Sequence, residues 1–156
     1  MSVEQGRPLP FGDASFELVS SRHPVSPDWA EIARVLTPDG TYFAQHVGPE
    51  SASELIEWFL GPQPREQQLG RDPEREASAA RAAGLRIVEL RTARCRMQFF
   101  DIGAVVYILR KGVWWVPDFT VERYADRLEQ LDACIRAQGA FVTHSTRTLF
   151  EATRRP

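Results

Sequence analysis

The chain has 156 residues, 43% of them hydrophobic and 26% charged, which is the composition of one ordinary domain long enough to bury a core. Its formal net charge of -2 gives no basic face, so a nucleic-acid partner is not expected. The polar start has no signal-peptide pattern and the longest apolar stretch, 102–109, is too short to span a bilayer, so a cytoplasmic protein without membrane contact is expected.

The first part of the chain predicts a strand, a helix and a second strand. Phe16 to Ser20 is an apolar run after a turn-rich loop. Ser26 predicts a helix cap with Pro27 at the first helical position. Apolar residues then recur at helical spacing, at Trp29, Ile32, Ala33 and Leu36. Thr37 to Gly40 predicts the turn that ends this helix, and Thr41 to Val47 predicts a strand parallel to the first.

The middle of the chain continues this alternation. Ser51 to Leu60 predicts an amphipathic helix, and Gly61 to Pro73 is a polar connection without an apolar period. Ala77 to Ala83 predicts a short helix that Gly84 closes in the left-handed conformation. Leu85 to Leu90 predicts a third strand.

The last third predicts two more helices and a final strand. Asp101 is the expected cap of a short apolar helix, and Thr120 is the expected cap of a long one that ends at Gly139. Phe141 to Phe150 predicts the last strand. The whole chain, 1–156, is therefore expected to form a single α/β domain. Cys95 and Cys134 have no metal-ligand or CxxC spacing and are expected to be free thiols.

Two segments carry a resemblance to a known family. LPFGDASFELV (Leu9 to Val19) and WAEIARVLTPDGTYFAQHVG (Trp29 to Gly48) are similar to the fourth and fifth strands of class I S-adenosylmethionine-dependent methyltransferases. The later segments AAGLRIVELR, FFDIGAVVYILR, WWVPDFTVERY and HSTRTLFEA look like the C-terminal region of methyltransferase-domain proteins of high-GC bacteria. This resemblance implies a partial Rossmann-like sheet, in which the last parallel strands and an antiparallel C-terminal strand are flanked by helices. It also implies S-adenosylmethionine as cofactor and a small-molecule methyl acceptor.

The chain departs from this family at the cofactor loop. The family has a glycine-rich turn after its first strand, where the backbone approaches the cofactor. Here the two nearest of ten glycines, Gly6 and Gly12, stand six residues apart. We therefore expect a truncated methyltransferase-like protein, the C-terminal portion of the fold, that is inactive alone. The other expectation is that these residues are one part of a longer protein.

Candidate site residues follow from the rule that ligands bind beyond the carboxyl ends of parallel strands. Ser21 and Arg22 follow the first strand there and are candidates for cofactor binding. His23 and His46 are candidates for orienting or deprotonating a substrate nucleophile, although each histidine could instead be hydrogen-bonded at a strand end. The histidine spacings are not those of a metal-ligand motif, so no metal is expected. Glu4 and Gln5 fall where the resemblance places the residue that contacts adenine.

The resemblance also implies that the last strand is antiparallel, so that its start lies on the same rim and brings His144 toward a substrate. An aromatic group has two interpretations, as core filling or as the wall of an apolar substrate pocket. Its members are Phe99, Phe100, Tyr107, Trp114, Trp115 and Phe119. In the second interpretation, 101–119 is a substrate cap, and Phe100, Tyr107, Trp114, Trp115 and His144 bind substrate.

A second class of function is a non-catalytic domain that binds a partner chain or another copy of itself. The first three strands of the family have no counterpart here, so the strand at Phe16 to Ser20 is expected to lie at an uncovered sheet edge. Such an edge is a template for pairing with another chain. A symmetric homodimer through this strand is the resulting expectation.

Overall fold

The computed structural model describes residues 7–64 and 71–155. Its strands are β1 (Phe16–Arg22), β2 (Leu36–Val47), β3 (Leu85–Phe99) and β4 (Phe141–Arg154). Its helices are α1 (Trp29–Val35), α2 (Ser53–Leu60), α3 (Pro73–Ala82), α4 (Ile102–Lys111) and α5 (Ala125–Gln138). This alternation confirms the predicted α/β class. The expected contacts of Glu4 and Gln5 lie outside the described residues.

The described strands form one sheet in the order β1-β2-β4-β3. β1 runs parallel to β2, whereas β4 runs antiparallel to β2, from the pair Thr41 and Thr153 to the pair Val47 and Arg147. Both the parallel first pair and the antiparallel last strand are therefore confirmed. Among the described strands, β1 lies at one edge of the sheet, as expected.

The chain divides into two compact units, each with its own core. The first comprises residues 7–49, 71–93 and 147–155, and the second comprises residues 50–64 and 94–146. In the first unit, α1 and α3 cover one face of the strands. Its core is formed by Trp29, Ile32, Leu36, Tyr42, Ala44, Ala77, Ala80, Leu85, Phe150 and Ala152. The core of the second unit is formed by Leu55, Phe59, Val105, Leu109, Val116, Leu128, Leu131, Ile135 and Phe141.

An ion pair in α1 holds the loop that precedes β1. The Arg34 guanidinium donates to the carbonyls of Leu9 and Phe11 and to the Asp13 carboxylate. Glu31 accepts from Arg34 and from the backbone amide of Leu9. The hydrogen bond from Arg34, followed by that from Leu9, lowers the pKa of Glu31 to about 2. Hydrogen bonds thus connect the segment Leu9 to Val19, which ends in β1, to the segment Trp29 to Gly48, which contains α1.

Two helices begin later than predicted. The side chain of Asp28, and not that of Ser26, caps α1 by accepting a hydrogen bond from the amide of Glu31 at 3.1 Å. The long helix α5 begins at Ala125, because Thr120 accepts from the amide of Arg123 and closes a separate turn there. Leu36, predicted as the last apolar position of the first helix, is instead the first residue of β2.

Other predicted boundaries shift as well. α2 begins at Ser53 and not at Ser51, because residues 51–52 are in a turn and Ala52 adopts a left-handed conformation. α3 begins at Pro73, inside the predicted connection, and Asp72 caps it by accepting from the amide of Arg75. β3 continues to Phe99, well beyond the predicted end at Leu90.

Several predicted helix ends are confirmed. Asp101 caps α4 through a hydrogen bond from the amide of Ala104 at 2.8 Å. Gly84 and Gly139 both adopt positive φ where helices end, as the left-handed end position favours.

Cys95 and Cys134 are free thiols. Within the described residues, no helix has both the length and the apolar character needed to cross a membrane.

Candidate functional site

Four side chains of the first unit form a continuous hydrogen-bonded chain. Ser21 Oγ lies 2.6 Å from the Tyr42 hydroxyl, which lies 3.2 Å from Nε2 of His46. Nδ1 of His46 lies 2.6 Å from a carboxylate oxygen of Glu76. This series of hydrogen bonds runs from the half-buried Ser21, through the buried Tyr42 and His46, to the half-buried Glu76.

The pleat of the strands explains why these residues meet. Alternate residues of a strand face the same side of a sheet, so Tyr42, Ala44 and His46 all lie on the buried face of β2. Ser21 is paired with Ala44 in the parallel register of β1 and β2, which places it beside this row. Glu76 comes from the first turns of α3, the helix that covers the same face.

His46 is buried against two aromatic rings. Only 1% of its surface is exposed, and its ring packs against Trp29, at 5.9 Å, and against Phe150, at 5.4 Å between ring centroids, while these two rings also contact each other at 5.0 Å. An ionised carboxylate only accepts hydrogen bonds, so a neutral His46 donates from Nδ1 to Glu76 and keeps Nε2 as an acceptor. The Tyr42 hydroxyl then donates to Nε2 of His46.

Tyr42 remains a neutral phenol over the whole physiological range. Burial is the largest influence and raises its pKa to about 12, against a smaller lowering by the hydrogen bond with Ser21. A neutral phenol can donate one hydrogen bond and accept another. Tyr42 can therefore donate to His46 while it accepts from Ser21.

The remaining candidates of this rim follow Ser21 directly. Arg22 is exposed at the end of β1 and is paired in register with Gln45 of β2. Nε2 of His23 lies 3.2 Å from the Gln45 side chain, and the backbone amide of His23 donates to the Gln45 carbonyl. The structure thus places Ser21, Arg22 and His23 at the carboxyl end of the parallel pair, as predicted.

His144 belongs to the second unit and has different partners. Its Nδ1 lies 2.7 Å from one oxygen of Glu54, and its backbone amide donates to the other oxygen. Thr143 and Arg94 also donate to this carboxylate. Burial would raise the pKa of Glu54, but hydrogen bonds from its own backbone amide, from His144 and from Thr143 outweigh it, and the pKa falls to about 2.

The three histidines therefore have three separate sets of partners. His23 contacts Gln45, His46 contacts Tyr42 and Glu76, and His144 contacts Glu54. Over residues 7–64 and 71–155, no group of three or more His, Cys, Asp or Glu side chains is arranged to hold a metal ion.

Half of the aromatic group lies in a core and half is exposed. Phe99, Trp115 and Phe119 pack against the core of the second unit. Phe100, Tyr107 and Trp114 are 67%, 64% and 68% exposed, respectively. Core filling thus accounts for half of the group, and the other three rings form part of the surface of the second unit.

Sequence reasoning missed Tyr42, Glu76 and Glu54. The alternation of Tyr42, Ala44 and His46 was a usable signal, since it places a phenol and an imidazole on one buried face. No local pattern points to Glu76, because it stands thirty residues after His46.

Comparison with known proteins gives likenesses in structure. No family model matches the chain, and no curated protein matches it. A protein of Bacillus halodurans C-125 that is provisionally described as a methyltransferase has a TM-score of 0.58 and 13% identity, over 95% of this chain and 68% of that one. The YcgJ protein of Bacillus subtilis has a TM-score of 0.57 and 17% identity, with the same two coverages, 95% and 68%.

A third similar structure concerns the conversion of a disulfide bond into a thioacetal group during echinomycin biosynthesis. It has a TM-score of 0.52 and 11% identity, over 95% of this chain and 52% of that one. All three likenesses extend over nearly the whole of this chain, and none of them covers the whole of the other protein. The chain therefore has an α/β fold that matches part of the fold of class I methyltransferases.

Proposed function

We propose that this chain is the C-terminal part of an S-adenosylmethionine-dependent methyltransferase that acts on a small molecule. The observation that carries the proposal is the sheet order β1-β2-β4-β3 with an antiparallel β4, in a chain similar in structure to a methyltransferase-like protein. The segments Leu9 to Val19 and Trp29 to Gly48, which resemble that family, form the loop, the strands and the helix around the Ser21 rim.

The residues present do not form a complete cofactor site. S-adenosylmethionine would supply the methyl group, and Ser21 and Arg22 stand where a ligand of such a sheet binds. However, a backbone cradle of the glycine-rich type needs closely spaced glycines, and no two glycines of this chain stand closer than six residues. We therefore propose that the chain alone does not hold the cofactor.

Calorimetric titration with S-adenosylmethionine tests this proposal in two samples. The chain of 156 residues is expected to give no heat of binding at millimolar cofactor. If the reading frame continues upstream into a segment with a GxGxG loop, the longer protein is expected to bind. Binding by the 156 residues would overturn the incomplete site, and a longer protein with the loop that does not bind would overturn the methyltransferase assignment.

A second candidate function is self-association without catalysis. It is favoured by the position of β1 at the edge of the described sheet, where Leu18 is 60% exposed. An apolar side chain on an edge strand favours pairing with another chain. A second copy of this chain is the partner that we propose, in a symmetric dimer through β1.

A further inference from the structure

We infer that aromatic and basic side chains exposed at α4 and its two flanks form a docking surface for an anionic lipid bilayer. This α4 surface comprises Phe100, Tyr107, Arg110, Lys111 and Trp114. The inference goes beyond the proposed function and does not depend on it. The expectation of no membrane contact rested on sequence signals for secretion and for spanning a bilayer, and docking at a bilayer surface requires neither.

The two sides of α4 differ in what they contact. Val105 and Leu109 are fully buried and belong to the core of the second unit. Helical geometry places Tyr107, Arg110 and Lys111 on the opposite side, and all three are exposed. An aromatic ring and two cations therefore share the outward side of one helix.

The aromatic rings of the α4 surface are unusually open to solvent. Phe100, Tyr107 and Trp114 are each at least 64% exposed, and Val113 beside them is 62% exposed. Exposed large apolar side chains that are grouped in this way mark contact sites for proteins or membranes. A small-molecule pocket encloses most of its ligand, so this degree of exposure favours a contact surface over a pocket wall.

The charge of this segment selects an anionic partner. Residues 96–117 include three basic side chains and one acidic side chain, Asp101, whereas the whole chain has a net charge of -2. The Asp101 carboxylate is engaged as the cap of α4. A second copy of the chain is disfavoured as the partner, because Arg110 and Lys111 of the two copies would repel each other across a symmetric contact.

A bilayer fits the side chains better than an acidic peptide does. Tyrosine and tryptophan rings prefer the level of the lipid headgroups, where one end of the ring is apolar and the other is hydrated. Arginine and lysine reach anionic headgroups at the same level. Nζ of Lys111 already lies 6.0 Å from the centroid of the Tyr107 ring, so a cation and a ring are neighbours here. Peptides usually bind in grooves or at sheet edges, whereas the outward side of a surface helix is a ridge.

Vesicle flotation tests the inference with the chain as it exists. Vesicles of equal parts phosphatidylcholine and phosphatidylglycerol are the anionic probe, and vesicles of phosphatidylcholine alone are the neutral probe. The wild type should float with the anionic vesicles only, and added salt should weaken this binding because it screens the charge of the headgroups. Equal binding to both kinds of vesicle, or binding to neither, overturns the inference.

Lys111→Gln tests the contribution of charge. It should lower the partition coefficient about fivefold, which is the contribution of one basic side chain near an anionic surface. Arg86→Gln is the matched control, because it removes one positive charge at an exposed position of β3 in the first unit, and it should leave the partition coefficient unchanged. An equal loss in both variants would mean that only the net charge matters, and the α4 surface is then rejected.

Trp114→Ser tests the contribution of the rings. It should lower the partition coefficient about tenfold, the order expected when part of a large aromatic side chain is no longer buried. Val25→Ser, at an apolar residue that is 89% exposed, is the control and should have no effect. If Trp114→Ser melts at a lower temperature than the wild type, Tyr107→Ser provides the same comparison. Unchanged binding in a folded variant of either ring rejects the α4 surface.

Polyglutamate is the probe for an acidic protein partner. It presents negative charge without an apolar interior that could receive the rings, so it should not displace the wild type from anionic vesicles at an equal concentration of negative charge. If it does displace the protein, an acidic polypeptide is the better partner and the assignment of a bilayer is wrong.

Discussion

At the scale of single residues, hydrogen bonds decide the behaviour of the ionisable groups. Glu54 receives hydrogen bonds from four donor groups on two strands and also from its own backbone amide, although part of its side chain is exposed. Its pKa of about 2 is below the ordinary 4.5, so the folded state favours the charged carboxylate. The bond network, more than burial, therefore determines the charge of this residue.

Glu54→Gln should change how stability depends on pH. A lowered pKa contributes stability that is fully present above pH 4.5 and is lost as the pH falls through about 2. The difference in free energy of unfolding between the wild type and Glu54→Gln should therefore be constant near neutral pH and should shrink below pH 4.5. Urea unfolding over this pH range measures it.

The substitution isolates Glu54 from Glu31, whose pKa is also lowered to about 2 and whose loss of stability falls in the same range. Glu57→Gln, at an exposed position of the same helix, controls for the removal of one negative charge. A difference between wild type and Glu54→Gln that stays constant down to pH 2 would contradict the assignment.

At the scale of elements, β2 contains an irregularity that the sequence indicated as a turn. The register with β1 jumps from the pair Phe16 and Leu36 to the pair Leu18 and Thr41. Asp39, with φ of 61°, lies in the extra length. The predicted turn thus exists, but inside the strand and not before it.

Gly40→Ala tests this irregular segment. A Cβ at Gly40 would lie 2.9 Å from both the carbonyl oxygen and the side-chain oxygen of Thr37, and 3.1 Å from the carbonyl of Phe16. Two of these atoms belong to the backbone, so we expect a loss of about 1–3 kcal/mol in the free energy of unfolding, measured in urea.

Gly12→Ala is the matched control. A Cβ at Gly12 would meet a single side-chain oxygen, of Ser15, at 3.5 Å. Its effect should stay within about 0.5 kcal/mol, as is usual at the surface. If both variants unfold at the same urea concentration, the close contacts of a Cβ at Gly40 do not destabilise the protein, and the prediction is wrong.

Local signals predicted the elements better than the site. Asp101 and Gly139 act within one turn of the chain, so their effect can be recognised from neighbouring residues. Asp28 was missed because Ser26 and Pro27 form an equally good helix start in sequence, whereas in the structure it is Asp28 that accepts the hydrogen bond from the amide of Glu31. Local sequence leaves such choices open whenever two capping residues stand close together.

The candidate site depends on contacts that sequence separation hides. Ser21 and His46 could be expected from the rim of the parallel pair, since that rule needs only the ends of the strands. Tyr42 and Glu76 come together with them through the strand register and the packing of α3. The link between Ser21 and His46 is therefore a property of the tertiary structure.

At the scale of the whole molecule, the two faces of the sheet in the first unit differ. Tyr42, Ala44 and His46 face the helices, whereas Phe43 faces the other side and is 46% exposed. Leu18 is aligned with Thr41, two residues from Phe43, and so lies diagonally next to it on that same side. Leu18 and Phe43 are therefore neighbouring exposed apolar side chains beside the sheet edge, which favours self-association.

Leu18→Lys tests association through β1. A lysine on an edge strand opposes pairing with another strand, because the charge would have to be buried in the contact. Leu18 is 60% exposed, so its replacement should leave the fold intact. Light scattering coupled to size-exclusion chromatography should show a dimer for the wild type and a monomer for this variant.

Val88→Lys, on the opposite edge strand β3 and at a residue 48% exposed, is the matched control and should remain dimeric. A wild type that is monomeric at all concentrations, or a dimer that Val88→Lys dissociates and Leu18→Lys does not, would exclude β1 as the interface.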